Sequence, residues 1–138
     1  MTSADRPEPE QPLNFGQITK PRPAGTVIVL RGGDDALEVL LVRRNPNARF
    51  MGGAWVFPGG AVDRNEGQGD HAHRAAAVRE LAEEADITIA EPDQLVAFSR
   101  WITPAEVKIR FDTWFYLAPL PPGVRANPDG SEVIDARW

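Results

Sequence analysis

Cysteine is absent from this 138-residue chain, and histidine and methionine occur only twice each. Without cysteine there is no disulfide bracing and no thiolate metal site, which is compatible with the cytoplasm. No stretch approaches the roughly 18 apolar residues of a membrane span, and the N-terminus lacks a basic-then-apolar signal. A cytoplasmic protein without membrane contact is therefore expected. Basic surface is also scarce: the net charge of -5 opposes the phosphate neutralisation that drives general nucleic-acid binding, so no stable nucleic-acid complex is expected. Neither a P-loop nor a dinucleotide GxGxxG pattern occurs, and there are no internal repeats. What remains, 42% hydrophobic and 25% charged residues, suits one globular domain with a single core.

Met1 to Pro23 carries Pro7, Pro9, Pro12, Pro21 and Pro23 among polar residues and reads as a flexible tail, with the domain proper over residues 24–138. Leu13, Phe15 and Ile18 offer an alternative for part of it, an extended arm docked on the fold or on a partner. Thr26–Leu30 and Val39–Val42 are apolar runs separated by Gly32, Gly33, Asp34 and Asp35, which predicts strand, turn, strand. Arg43 and Arg44 follow on opposite sides of the chain. A guanidinium fork suits phosphate oxygens, so one of the two is a candidate diphosphate contact, against a solvated strand end. In the Asn45–Gly53 loop and the short strand after it, Phe50 and Trp55 are candidates to stack on a base, against a place in the core. Further on, Leu95–Ile102, Ile109–Leu117 and Glu132–Ala136 read as strands. Phe111, Thr113, Phe115 and Leu117 take one face of the second and Asp112, Trp114 and Tyr116 the other, so both faces are expected to be covered.

The most informative stretch is Phe57–Ile87, FPGGAVDRNEGQGDHAHRAAAVRELAEEADI. Its second half reads as a helix on which Glu80, Glu83 and Glu84 stand at i, i+3 and i+4, one patch of three carboxylates. Such repulsion raises pKa values and destabilises the patch unless a cation occupies it. Oxygen-only ligands favour a hard divalent ion, Mg2+ or Mn2+, over Zn2+. Ala75, Val78, Ala82 and Ala85, with Leu81, are expected to face a sheet. Arg79, one turn before Glu83, is placed to orient a carboxylate. The Phe57-Pro58-Gly59-Gly60 turn brings bare backbone to the helix, so the Gly60 carbonyl is a further candidate ligand. His71 and His73 are expected in a solvated loop, for want of other nitrogen or sulfur ligands.

Gly60, then Glu66 after five intervening residues, and Arg79-Glu80-Leu81-Ala82-Glu83-Glu84-Ala85-Asp86-Ile87 together resemble the Nudix box. Two departures stand out. Residues 67–78 make a longer gap than the family keeps, read here as an insertion in the loop before the helix with Gly67, Gly69 and Asp70 as turn residues. Asp86 replaces the family's glycine, in a left-handed cap that aspartate tolerates. LLVRRNPNARFMGGAWVFPGG and SRWITPAEVKIRFDTWFYLA are similar to the subgroup of coenzyme A diphosphatases, which carry insertions in the box.

The resemblance implies an α/β Nudix fold, a mixed β-sheet sandwiched by helices. Such domains usually continue into another helix over the second sheet face, whereas this chain stops at Trp138. The expectation is therefore either a fragment truncated at the C-terminus, without that helix, or a partner chain over that face as in a homodimer. The implied activity is Mg2+- or Mn2+-dependent hydrolysis of the diphosphate linkage in a nucleoside diphosphate derivative: coenzyme A, NAD(H), ADP-ribose or a nucleoside triphosphate. In it, Glu80, Glu83, Glu84 and the Gly60 carbonyl hold metal, Arg79 orients, Arg43 or Arg44 binds phosphate, and Glu84, Glu106 or Glu132 accepts the proton of the attacking water. A Nudix-fold module that binds a nucleotide without turnover is the alternative.

Overall fold

The structure is a computed structural model that describes residues 12–138. The part of the proline-rich tail that falls on residues 1–11 lies outside the described residues. Residues 12–19 run along the 103–110 loop. Leu13 bridges Val107, Asn14 donates its amide N–H to the Glu106 carbonyl at 2.9 Å, and the Asn14 side chain donates to the Ala105 and Val107 carbonyls at 2.8 and 2.9 Å. The backbone docks there, whereas Phe15 is 90% exposed and the Leu13 and Ile18 side chains are exposed as well.

Strand β1 (Arg22–Arg31) is the axis of the fold. It pairs in parallel with β7 (Phe111–Pro119) along its length, and a parallel partner demands a long crossover. That crossover contains helix α1 (Asp70–Ala85). Beyond β7 lies β6 (Val96–Ile102) at the sheet edge. On the other side of β1, β5 (Gly59–Ala61) pairs with its first half and β2 (Glu38–Val39) with its end. A second sheet joins β4 (Trp55–Val56), β3 (Leu41–Arg44) and β8 (Val133–Arg137) in that order. The apolar run expected as one strand over Val39–Val42 is thus divided at the fully buried Leu40, which hands the chain from one sheet to the other.

Alternation along β1 sends Gly25, Val27 and Val29 to the α1 side and Ala24, Thr26 and Ile28 to the opposite side. The core is Val27, Val29, Tyr116 and Ala118 from the sheet against Ala77, Leu81 and Ala85 from the helix, closed by Leu40, Val42, Ile87, Leu95 and Val133. Gly25 sets the approach of helix to sheet: a Cβ there would strike the His73 carbonyl and come within 2.9 Å of the Ala77 amide nitrogen.

Three expectations about this helix need correction. The helix starts at Asp70, so the loop is only Gly67–Gly69 and most of the extra length in the box is helical. His73 is therefore buried in the helix, its Nδ1 at 2.6 Å from the Ala24 carbonyl, while His71 stays exposed. The buried stripe runs through Ala72, His73, Ala76, Ala77, Leu81, Glu84 and Ala85, and Ala82 is exposed. With alanine on almost every side of the helix, hydrophobicity alone left its phase open. The cap fits the reading of Asp86: φ 57° and ψ 35°, with its N–H donating to the Ala82 carbonyl at 3.1 Å.

Among the described residues α1 is the single α-helix, and it covers one face of the larger sheet. The opposite face, expected to be covered, is open toward β6, where Val96, Phe98 and Trp101 are each at least 60% exposed. No helix among the described residues is long and apolar enough to cross a membrane.

Candidate functional site

Two adjoining clefts occupy that open face. One, of about 540 Å³, is lined by Glu80, Glu84, Glu132, Gly59, Gly60, Arg22 and Arg44 along with apolar residues. Its neighbour, of about 610 Å³, is lined by Trp55, Phe98, Trp101 and Phe115 and by no charged side chain. Thr26, Phe50, Val56, Phe57 and Thr113 belong to both, so the clefts form one continuous trough, acidic at one end and aromatic at the other.

At the acidic end one carboxylate oxygen from each of Glu80, Glu84 and Glu132 lies within 4.8 Å of the others. Glu80 and Glu84 come from α1, and Glu132 comes from the residue preceding β8 in the second sheet. Glu84 is only 4% exposed. Burial, then the charge of Glu80, pushes its pKa up to about 8, although the Gly59 N–H donates to Oε2 at 3.2 Å. Burial also raises the Glu80 carboxyl, outweighing the Arg79 guanidinium beside it. Crowded carboxylates with unfavourable charge, offering oxygen donors alone, fit a hard divalent cation, which would offset both burial and repulsion.

Glu83 stands apart from this group. Its side chain is half exposed and meets Arg79 Nη1 at 3.3 Å. Arg79 gathers several carboxylates: its Nε and Nη2 donate to the two oxygens of Glu66 at 3.2 and 3.1 Å, and its Nη1 donates to Glu80 Oε1 at 2.9 Å. Asp63 is 3.3 Å away, and the Ala61 carbonyl accepts from Nη2 at 2.9 Å. These partners, Glu66 foremost, raise the arginine pKa further. The longer gap therefore leaves Glu66 bonded to Arg79, which holds Glu80 in place.

The glycine turn sits against the carboxylates. A Cβ on Gly60 would lie 2.5 Å from Glu80 Oε1. Val27 N–H donates to the Pro58 carbonyl and Val62 N–H to the Pro23 carbonyl, so the alternation of an antiparallel ladder makes Gly25 and Gly60 a hydrogen-bonded pair. The Gly60 carbonyl thus faces β1. Gly59 occupies the non-bonded position, and its polar groups turn toward Glu84.

Of the basic and aromatic candidates, Arg44 lines the acidic cleft, its Nε donating to the Phe50 carbonyl at 2.9 Å. Arg43 turns to the Gly53 carbonyl at 3.2 Å and lines neither cleft. Phe50 lines both clefts, its ring 6.1 Å from Phe111, and Trp55 lines the aromatic one, with Arg137 over its ring at 5.0 Å. Glu106 is exposed in the loop against residues 12–19, away from the glutamates. Sequence reasoning missed Gly59, Arg22, Phe98 and Trp101. The alternation of β1 and β6 carried a signal for the last three, but a register irregularity between Ala97 and Ser99 hides it for Phe98. Glu132 was named only as a proton acceptor, because its place beside α1 depends on β8 pairing with β3, a contact no local pattern encodes.

The NUDIX domain family model matches residues 20–138. The chain belongs to the NUDIX domain family. This Nudix domain is similar to nudix hydrolase 7 of Caenorhabditis elegans, 28% identical over 73% of the chain and 46% of that protein; it therefore spans less than half the length of that relative. A NUDIX hydrolase from Alicyclobacillus acidocaldarius has a similar structure, with TM-score 0.77 and 26% identity over 88% of this chain and 80% of the other. The NUDIX domain of Shewanella oneidensis NrtR, solved with ADP ribose, shares the fold with TM-score 0.67 at 20% identity, over 87% and 73% of the two chains.

Proposed function

We propose that this Nudix domain hydrolyses the diphosphate linkage of a nucleoside diphosphate derivative with Mg2+ or Mn2+. The observation that carries the reading is the convergence of Glu80, Glu84 and Glu132 at one end of a trough whose other end is aromatic and uncharged. Glu80, Glu84 and Glu132 would hold the cation, with the backbone oxygen of Gly59 in place of the expected Gly60 carbonyl, which faces β1, and Glu83, next to Glu84 in the chain, would join them on leaving Arg79. Bound there, the cation supplies charge neutralisation at the bridge and lowers the pKa of water.

The chain's own groups then divide the work. Arg44 and Arg22, which both line the acidic cleft, bind phosphate oxygens, and Arg79 fixes the rotamer of Glu80. Glu84 Oε2 is engaged by Gly59, which leaves Oε1 to take the proton of the attacking water. Phe50 and Trp55 flank the uncharged part of the substrate. The motifs around the box support a coenzyme A diphosphatase-type subgroup, and the NrtR complex supports ADP-ribose derivatives as a second class to assay. Liquid chromatography of coenzyme A, NADH, ADP-ribose and nucleoside triphosphates after incubation with metal-loaded protein tests this. Release of a nucleoside monophosphate or phosphopantetheine is expected; binding of one member without turnover would leave a nucleotide-binding module instead.

A further inference from the structure

Among the described residues the Glu132 side chain makes no hydrogen bond or ion pair, so its place beside Glu80 and Glu84 is set by its backbone alone. That backbone is fixed from both sides. The Asn45 N–H donates to the Glu132 carbonyl at 2.8 Å, and Asn45 Nδ2 donates to the Ser131 carbonyl at 2.8 Å. Asp129 Oδ1 accepts the N–H groups of Ser131 and Val133, the residues on either side of Glu132, at 3.0 Å each. The Asp129 N–H in turn donates to the backbone carbonyl of Glu84 at 3.2 Å, and the Asn127 N–H donates to that of Ala85 at 2.8 Å. Asp129 therefore grips the peptide of one acidic residue with its amide and the peptides flanking another with its carboxylate.

We propose that Asp129 is the positioning residue that registers Glu132 against Glu84. The proposal rests on the reading of Glu80, Glu84 and Glu132 as cation ligands. It follows from where the anchors land. A turn serving only to reverse the chain would be satisfied by its internal bonds, the Gly130 N–H to Val133 carbonyl bond at 2.9 Å among them. This turn is additionally docked on the terminal carbonyls of α1, one of which belongs to a residue of the glutamate group. A ligand on the helix and one beside the second sheet keep their spacing only through such a bracket, and outer contacts of this kind typically change metal affinity by about 10–100-fold when lost.

Mn2+ titration of the full chain, followed by the electron paramagnetic resonance of the free ion, tests the proposal. Asp129→Ala is expected to weaken Mn2+ binding about tenfold, as Glu132→Ala does, and the double variant is expected to bind no more weakly than Glu132→Ala alone. Asp129→Asn keeps an acceptor oxygen at the same place and should stay close to the wild type, with Ala and Asn variants checked for folding by urea denaturation. Unchanged Mn2+ binding in Asp129→Ala, or losses that multiply in the double variant, would overturn the positioning role while Glu84→Gln still binds weakly. If Glu84→Gln and Glu132→Ala both bind Mn2+ like the wild type, the reading of the site falls, and this proposal with it.

Discussion

Replacing Glu84 with glutamine in chelator-treated protein should stabilise it at high pH and leave it unchanged at low pH. The side chain is nearly fully buried, and its carboxyl is raised from an ordinary 4.5 to about 8. A pKa raised by folding means that the folded state holds its proton more tightly than the unfolded chain. The wild type therefore suffers nothing from this group below about pH 4.5 and loses stability as pH climbs toward 8. The ceiling is about 5 kcal/mol, since each unit is worth about 1.4 kcal/mol. Local relaxation and water entry on ionisation reduce it, and we expect about 2 kcal/mol at pH 8. Glutamine keeps an oxygen for the Gly59 N–H and carries no charge. Urea denaturation of both chains in chelator from pH 5 to 8 reads the difference directly, because other titrating groups largely cancel. At a slope near 2 kcal/mol per molar, the midpoints should separate by about 1 M. Parallel curves across this range would refute the account of Glu84 as a buried carboxylate awaiting a cation.

Mg2+ or Mn2+ should restore the wild type, by about 2.7 kcal/mol at a hundred times its dissociation constant, and leave Glu84→Gln little changed; calorimetric melting with and without chelator checks this. Gly25→Ala should destabilise by about 3 kcal/mol or more, since the added carbon meets helix backbone that has nowhere to move; urea denaturation measures it. Asp70 has its pKa lowered chiefly by the hydrogen bond from Arg74, so Asp70→Asn should lose stability at neutral pH, with the deficit closing as pH falls through the lowered value. The side chain is 61% exposed, so the deficit should stay within about 1 kcal/mol. Trp101→Ala, at a residue 69% exposed, should leave stability within about 0.5 kcal/mol and raise KM more than it lowers kcat if the aromatic end holds substrate, as steady-state kinetics would reveal.

Local rules made most of the chain legible. The glycine turn, the helix carrying the box, the left-handed Asp86 and the strands β6 to β8 all follow from residues within a few positions of one another. Glu80 and Glu84 come together because i and i+4 must on any helix. Glu83 obeys the same spacing, yet its rotamer answers to Arg79, a competition that spacing does not describe. The start of α1 was misplaced because Gly69 resembles a loop residue while serving as the helix N-cap. The arrival of Glu132, the turning of Gly59 toward Glu84 and the joining of the two clefts all require strand pairings between distant segments, which only the assembled sheets fix.

The added length before Arg79 has a consequence for engineering. Because it is wound into α1, it contributes Ala72, His73 and Ala76 to the interior and ties the start of the helix to Ala24 through a buried imidazole. Shortening the chain there to the usual family length would not prune a decorative loop. It would strip the first turns from the rod that braces the sheet, and Arg79 would reach the carboxylates from a foundation no longer seated.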